Sequence, residues 1–135
     1  QLNSTIGDEL LIPTRIYVKP ILSLLRQYKL KQVVKGMAHI TGGGLLDNIP
    51  RILPSGCSVR INKGTWPVPK IFNVVQEMGG VVEEEMYHVF NMGIGFVLIV
   101  SKDYVSSIVK KLEKMKEEAF IIGKVIKGGR GVEII

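Results

Sequence analysis

Hydrophobic and polar positions along this chain follow a helical period in some stretches and an extended period in others. Apolar residues recur every three or four positions in several stretches, which predicts amphipathic helices there. These predicted helices cover residues 20–28, 45–52, 69–78, 83–90 and 102–116, the last with Ser101 as its N-cap. Alternating or wholly apolar short runs predict strands over residues 37–41, 58–62, 95–100, 119–126 and 132–135.

The order of these elements determines the predicted fold class. Helices and strands do not alternate strictly, which argues against a doubly wound parallel sheet. The order favours an α/β (α+β) fold, a mixed-sheet α/β/α sandwich with ferredoxin-like features. We expect residues 1–135 to form a single domain, in which residues 1–9 are a polar leading segment. The chain begins with Gln1 rather than Met, which favours a processed N-terminus or a piece of a longer protein.

Composition and charge narrow the possible partners. A length of 135 residues with 46% hydrophobic residues suffices for a core without disulfides or metals. The net charge of +6 raises nucleic acid as a partner, but the lysines of residues 102–118 are interleaved with acids. We therefore expect no nucleic-acid partner, and we assign the positive charge to small anions. The single Cys57 and the short apolar runs predict a cytoplasmic protein without a membrane partner.

The most prominent local motif is a run of three glycines, Gly42–Gly44, between a predicted strand and a predicted helix. Successive backbone N–H groups at such a junction can bind an anion, and the Thr41 hydroxyl can either cap the helix or donate to a phosphate oxygen. The competing interpretation is a tight turn with close backbone packing. The spacing differs from that of a P-loop. His39, just before the run, is either a structural histidine or part of the site.

Other polar residues give weaker indications of chemistry. Arg15, next to Thr14, could clamp a phosphate, or its side chain could simply lie on the surface. Asn91 could contact a ligand, although the glycines after it indicate close backbone approach. The sequence has no Ser-His-Asp order, no paired catalytic carboxylates and no metal-ligand spacing. No catalytic residue and no metal ligand is therefore assigned from the residues alone.

Four ordered segments carry a resemblance to a known family: LIPTRIYVK (11–19), AHITGGGLLDNIPRILP (38–54), WPVPKIF (66–72) and EEMYHVFNMGIG (84–95). Together they resemble the C-terminal half of the phosphoribosylformylglycinamidine cyclo-ligases, or aminoimidazole ribonucleotide synthetases. The closing segment AFIIGKV (119–125) is similar to the end of that family. The resemblance covers nearly the whole chain from about residue 10.

The resemblance implies an activity and a set of site residues. The family closes the imidazole ring of aminoimidazole ribonucleotide from formylglycinamidine ribonucleotide, with ATP converted to ADP and phosphate. In this chain the implied binding residues for substrate and phosphate are Thr14, Arg15, Thr41, Gly42, Gly43 and Gly44. The implied supporting residues are His39, Asn48 and Asn91.

The resemblance also implies a partner, because the family places its active site between two halves. The N-terminal half carries the residues for ATP and Mg²⁺ and most of a homodimer interface, and its motifs are absent from these residues. We therefore expect the isolated chain to be inactive and to bind ATP–Mg²⁺ poorly. Two alternatives stay open at this point, an anion- or nucleic-acid-binding module without catalysis and a purely structural dimerisation domain.

Overall fold

The computed structural model describes residues 2, 4–29 and 31–135. Positions 1 and 3 of the leading segment therefore lie outside the described residues. The helices are α1 (Ile6–Leu10), α2 (Val18–Gln27), α3 (Gly44–Asn48), α4 (Lys70–Gly79), α5 (Glu83–Val89) and α6 (Val105–Lys114). The strands are β1 (Val34–His39), β2 (Cys57–Ile61), β3 (Phe96–Val100), β4 (Gly123–Lys127) and β5 (Val132–Ile134).

The five strands form two separate sheets. β1 and β3 pair antiparallel, with His39 opposite Phe96 and a bulge between Val34 and Gly36. β2 is the centre of the second sheet, antiparallel to β4 and parallel to β5. Helices and a mixed sheet are therefore both present, and the predicted mixed α/β fold class is confirmed.

Two apolar clusters hold these elements together. The larger one joins residues of both sheets to α3, α5 and the loop before β3, and its fully buried side chains include Leu45, Ile61 and Met86. The smaller one packs α2 against α6 through Leu24 and Ile108. Because α3 and α5 meet in the larger cluster, the glycine run at the start of α3 is held against the end of α5.

Four predicted elements differ from the structure. The strand predicted over 37–41 is β1, which begins three residues earlier and ends at His39, within its ladder with β3. The helix predicted over 45–52 ends at Asn48, and a 3-10 turn follows over Pro50–Ile52 because proline has no N–H to continue the helical ladder. The helix predicted over 102–116 begins with a 3-10 turn over Lys102–Tyr104. Ser101 occupies the N-cap position of that turn, as predicted, but its side chain makes no capping hydrogen bond. The strand predicted over 119–126 begins only at Gly123.

A short helix inside the leading segment, α1, was not predicted. It begins with a capping box in which the Thr5 hydroxyl accepts from the Asp8 N–H (3.1 Å) and the Thr5 N–H donates to the Asp8 carboxylate (3.2 Å). The Thr-x-x-Asp spacing is a sequence signal that could have located this helix.

The capping box predicts that α1 is less stable at low pH, where the Asp8 carboxylate is protonated. The hydroxyl and then the backbone N–H of Thr5 lower the pKa of Asp8 below its ordinary value of 3.8. The stabilisation is therefore present at neutral pH and is lost as the pH falls through that lowered pKa. An NMR titration of the Asp8 carboxyl should give a pKa below 3.8, and Thr5→Ala, which removes the hydroxyl but keeps the backbone N–H, should raise that pKa part of the way toward the ordinary value. Identical titration curves for the two proteins would contradict this assignment.

Within the part of the chain that the structure describes, no helix combines the length and the apolar character needed to cross a bilayer.

Candidate functional site

The glycine run forms a loop that leaves the end of β1 and turns into α3. The Ile40 N–H donates to the Gly95 carbonyl (2.9 Å), which fixes the start of the loop beside β3. The Gly44 N–H donates back to the Thr41 carbonyl (3.1 Å), which closes a tight turn. Thr41 and Gly42 are exposed, whereas Gly44 is buried. The loop therefore presents its first two residues to solvent and anchors its last one.

Each glycine of the run has a different steric environment. Gly43 and Gly44 have positive φ values of 94° and 54°, which favour glycine. A Cβ on Gly44 would overlap the carbonyl oxygen of Tyr87 and lie 2.7 Å from that of Phe90, at the end of α5. A Cβ on Gly42 would meet nothing within 4 Å. Close packing accounts for Gly43 and Gly44, but it gives no reason for a glycine at position 42.

Asn48 is the buried polar residue that braces the loop. Its side chain is 5% exposed, and its Nδ2 donates to the carbonyls of Thr41 (3.2 Å), Gly42 (3.2 Å) and Gly44 (2.8 Å). Its Oδ1 accepts from the Thr41 hydroxyl at 3.4 Å. One NH2 group, with one of its two hydrogens shared, thus binds three loop carbonyls, including that of Thr41, which also accepts from the Gly44 N–H.

This brace sets the direction of the loop's N–H groups. In a trans peptide the C=O and the following N–H point to opposite sides. Because the carbonyls of Thr41 and Gly42 turn toward Asn48, the N–H groups of Gly42 and Gly43 turn away from it. Among the described residues neither N–H has a backbone acceptor. The loop therefore offers two adjacent donors on its outer side, an arrangement suited to an anion.

The Thr41 side chain does not cap α3. The residue at the N-cap position is Gly43, and no side chain makes a capping hydrogen bond there. The Thr41 hydroxyl instead donates to Asn48, so the capping interpretation of Thr41 is wrong. With five residues, α3 also contributes little helix dipole to an anion.

Three charged or titratable residues near the loop were missed in the sequence. The exposed Arg51 donates from Nη1 to the Asn48 Oδ1 (3.3 Å), which brings a cation to the brace. The Asp47 carboxylate lies beside Gly43 and is 3.2 Å from Nε2 of His88. Arg51 and Asp47 both follow the glycine run closely in the sequence, and this short spacing is a signal that could have placed them among the candidate site residues. Asp47 restricts an anion to the Gly42 side of the loop.

His39 belongs to an aromatic group at the end of the first sheet. Its ring lies 6.0 Å from that of Tyr17 and 6.2 Å from that of Phe96, measured between centroids. The Tyr17 hydroxyl occupies the space where a Cβ of Gly95 would lie, which explains that glycine. Tyr17 thus ties the 13–17 segment to the strand that leads into the glycine loop.

Thr14 and Arg15 lie in the same 13–17 segment, and both are exposed. The Arg15 guanidinium is 3.5 Å from the Glu117 carboxylate, a partner that the sequence did not indicate. No hydrogen bond joins either residue to the glycine loop within the described part of the chain. The connection between the two groups passes through Tyr17 and His39.

Asn91 has a structural contact of its own. Its Oδ1 accepts from the Gly93 N–H (2.9 Å), an Asx turn that shapes the loop before β3. Trp66 anchors the same loop by donating from its indole to the Met92 carbonyl (2.9 Å). In the structure Asn91 shapes this loop, and among the described residues no hydrogen bond joins its side chain to the glycine run.

Comparison with known proteins identifies the family. The family described as AIR synthase related protein, C-terminal domain, matches residues 1–135. The chain belongs to this family. Its similarity to phosphoribosylformylglycinamidine cyclo-ligases is extensive, with 48% identity over 133 residues to that of Pseudothermotoga lettingae and 51% over 123 residues to that of Bacillus subtilis. The alignments cover 98% and 91% of this chain but only 38% and 34% of those relatives. The chain thus spans about a third of their length.

Solved structures of a hydrogenase maturation protein have the same fold. The Escherichia coli hydrogenase maturation protein HypE superposes with a TM-score of 0.67 at 22% identity, covering 96% of this chain and 39% of HypE. A HypE–HypF complex gives a TM-score of 0.64 at 23% identity, with 95% and 42% covered. At this level of identity the likeness shows the shared fold.

Proposed function

We propose that this chain is the C-terminal domain of an ATP-dependent phosphoribosylformylglycinamidine cyclo-ligase of purine biosynthesis, acting in the cytoplasm. The observation that carries the proposal is the 48–51% identity to such enzymes over 91–98% of the chain. The parent enzyme converts formylglycinamidine ribonucleotide to aminoimidazole ribonucleotide and releases ADP and phosphate. Since the chain spans about a third of those relatives, the isolated domain is expected to be inactive.

The role of this domain is to bind a phosphate through the glycine loop. The donors are the outward N–H groups of Gly42 and Gly43, with Arg51 supplying positive charge nearby. The Thr41 hydroxyl, which donates to Asn48 in this structure, joins them by turning from Asn48 to the ligand. Asn48 holds these donors in place before the ligand arrives, so little ordering entropy is lost on binding. Gly44 contributes by allowing the loop to pack on α5.

Thr14 and Arg15 form a second wall of the proposed cleft. The Arg15 guanidinium can make two parallel hydrogen bonds to a phosphate, but it must first leave Glu117. His39 supports the geometry through its contact with Tyr17, which holds the 13–17 segment against the first sheet. Asn91 supports it more remotely, through the shape of the loop before β3.

The ring closure requires positioning and charge stabilisation more than a protein nucleophile. ATP phosphorylates the formyl oxygen of the substrate, and the amidine nitrogen then attacks that carbon and expels phosphate. Backbone donors near the ribonucleotide keep the reacting groups aligned while charge develops on the phosphoryl oxygens. This chain contributes those donors, and no catalytic side chain is assigned to it.

The described residues of this chain do not form a Mg²⁺ site of their own. Among the described residues there is no group of three His, Cys, Asp or Glu side chains able to hold a metal ion. We therefore assign ATP and Mg²⁺ to the other part of the parent enzyme, along with a homodimer interface, and derive no step through the metal.

The glycine loop can be tested with Gly42→Val in the complete parent enzyme. A Cβ at position 42 meets nothing within 4 Å, so the fold should tolerate the change while the side chain covers the outward donors. We expect the KM for the ribonucleotide to rise at least about ten-fold, which corresponds to about 1.4 kcal/mol of binding.

The matched control is Gly129→Val, because that exposed glycine also has nothing within 4 Å and lies in the turn before β5. Its KM should equal that of the unaltered enzyme. An unchanged KM in Gly42→Val would remove the loop from the substrate site.

A further inference from the structure

Two sheet edges without a strand partner line the same cavity. The cavity has a volume of about 660 Å³, with β3 on one wall and β4, together with the segment before it, on another. β1 covers the opposite edge of β3, and β2 covers the opposite edge of β4. Within the described residues β3 and β4 do not pair with each other or with a third strand at these edges.

The hydrogen-bond register shows which backbone groups of β3 point into the cavity. Ile40 and Gly95 form a hydrogen-bonded pair (2.9 Å) at one end of the β1–β3 ladder. Bonded and non-bonded pairs alternate along an antiparallel ladder. The N–H and C=O groups of Phe96 and Leu98 therefore point away from β1. Both residues line the cavity.

The same argument applies to β4. The Asn62 N–H donates to the Ile122 carbonyl (2.8 Å), so this pair is bonded in the β2–β4 ladder. By alternation the backbone groups of Gly123 and Val125 point away from β2. Both residues line the cavity as well. The cavity is therefore bordered along β3 and β4 by backbone donors and acceptors without strand partners, and apolar side chains of α6, such as Ile108 and Leu112, line it as well.

The edge of β3 has none of the usual protection against pairing. Its sequence, Phe-Val-Leu-Ile-Val, contains no charge and no proline, and the bulge of this sheet lies on β1 instead. Natural proteins cover such edges or interrupt them with charges or proline. A covering element is therefore expected, and it must satisfy donors and acceptors on both of its sides. A helix has no free backbone groups along its length, whereas an extended strand has them on both sides.

We propose that an extended segment from the rest of the parent polypeptide inserts between β3 and β4 and joins the two sheets into one. The parent polypeptide is the source because this chain spans only 34–38% of relatives that it matches almost end to end. The segment should be rich in apolar residues, since the cavity is lined mainly by Ile, Val, Leu and Phe side chains. The inference shares with the proposed function the premise that the parent is a longer enzyme.

Hydrogen–deuterium exchange of this 135-residue chain and of the complete parent enzyme tests the insertion. The amides of Phe96, Leu98 and Val125 should exchange at least about ten-fold more slowly in the complete enzyme. The strand β2 is paired on both edges already, so its amides serve as the internal control and should change little. Equal exchange at the β3 and β4 edges in the two proteins would overturn the proposal.

A pair of proline variants tests the same contact through stability. Val125→Pro removes an N–H that points into the cavity, whereas Lys124→Pro removes one that faces Arg60 in the β2–β4 ladder. Val125→Pro should lower the Tm of the complete enzyme by more than about 5 °C and change that of the shorter chain much less. Lys124→Pro should lower both. Equal effects of Val125→Pro on both proteins would count against an inserted strand.

Two other occupants of the cavity give distinct results. If two copies of this chain pair through these edges, protection of Phe96 and Leu98 will appear in the short chain as its concentration rises, and the proposal fails. If the cavity is a pocket for a small apolar ligand, an apolar fluorophore will bind equally well to the complete enzyme, and the proposal also fails. None of these measurements depends on catalysis, so the insertion and the cyclo-ligase activity stand or fall separately.

Discussion

Gly44→Ala should lower the free energy of unfolding by about 3–5 kcal/mol, because two costs combine at this position. Its φ of 54° disfavours any side chain, and a Cβ would overlap the carbonyl of Tyr87 and approach that of Phe90. These neighbours are backbone atoms of α5 and of its C-cap residue, so relief requires α3 and α5 to separate within the main core. Urea unfolding followed by circular dichroism measures the change.

Gly42→Ala is the matched control, two positions earlier in the same loop. It has open space around its Cβ and no positive φ, so its unfolding free energy should be unchanged or higher by up to about 1 kcal/mol. Similar losses in the two variants would show that the loop does not pack on α5 as described.

Asn48→Asp should cost about 3 kcal/mol at neutral pH although the two side chains have nearly the same shape. The Nδ2 group donates to three carbonyl oxygens, and a carboxylate in its place would accept only. The result is a buried charge facing the carbonyls of Thr41, Gly42 and Gly44. The same unfolding measurement applies, and the loop donors should lose their fixed orientation.

The pH dependence of this variant has a defined sign. Burial among carbonyls should raise the pKa of the introduced carboxyl above the ordinary aspartate value of about 3.9. The protonated acid can donate one hydrogen bond, so the deficit relative to the unaltered protein should be smallest near about pH 4 and should grow as the pH rises. A deficit that is independent of pH would contradict the donor role.

Asn91→Asp is the control, because it makes the same change from amide to carboxylate at a position where the amide acts as an acceptor. Asn91 uses its oxygen to accept from the Gly93 N–H, and a carboxylate can accept the same hydrogen bond. The unfolding free energy should therefore change by less than about 0.5 kcal/mol. The same substitution therefore tests an amide that donates, at position 48, and an amide that accepts, at position 91. Only the first should lose stability.

Much of the secondary structure could be predicted because its signals are local. The helices α4 and α5 and the strands β2 and β3 lie within one residue of their predicted ends. Some of the boundaries that failed depend on distant contacts. For example, β4 begins at Gly123, the residue whose missing Cβ leaves room for the backbone of Arg60. This close contact joins residues far apart in the sequence, so a short stretch of sequence does not contain the information that predicts it.

The candidate site shows the same division. The sequence alone determined the family resemblance and located the glycine run, because both are contiguous patterns of residue type. It could not separate the two interpretations of the run, since Gly44 is explained by α5 and Gly42 is not. It also gave Asn48 only a supporting role, although its three hydrogen bonds orient the loop.

The sequence by itself determined the order of the elements, the mixed fold class and the family. The tertiary structure alone decided which loop donors face outward, that Arg15 pairs with Glu117, and that the edges of β3 and β4 line one cavity. The physical reason is the separation along the chain between the residues that determine each feature. Periodicity, caps and motifs act between neighbours in the chain, whereas the direction of a peptide group or a free sheet edge depends on residues brought together only by folding.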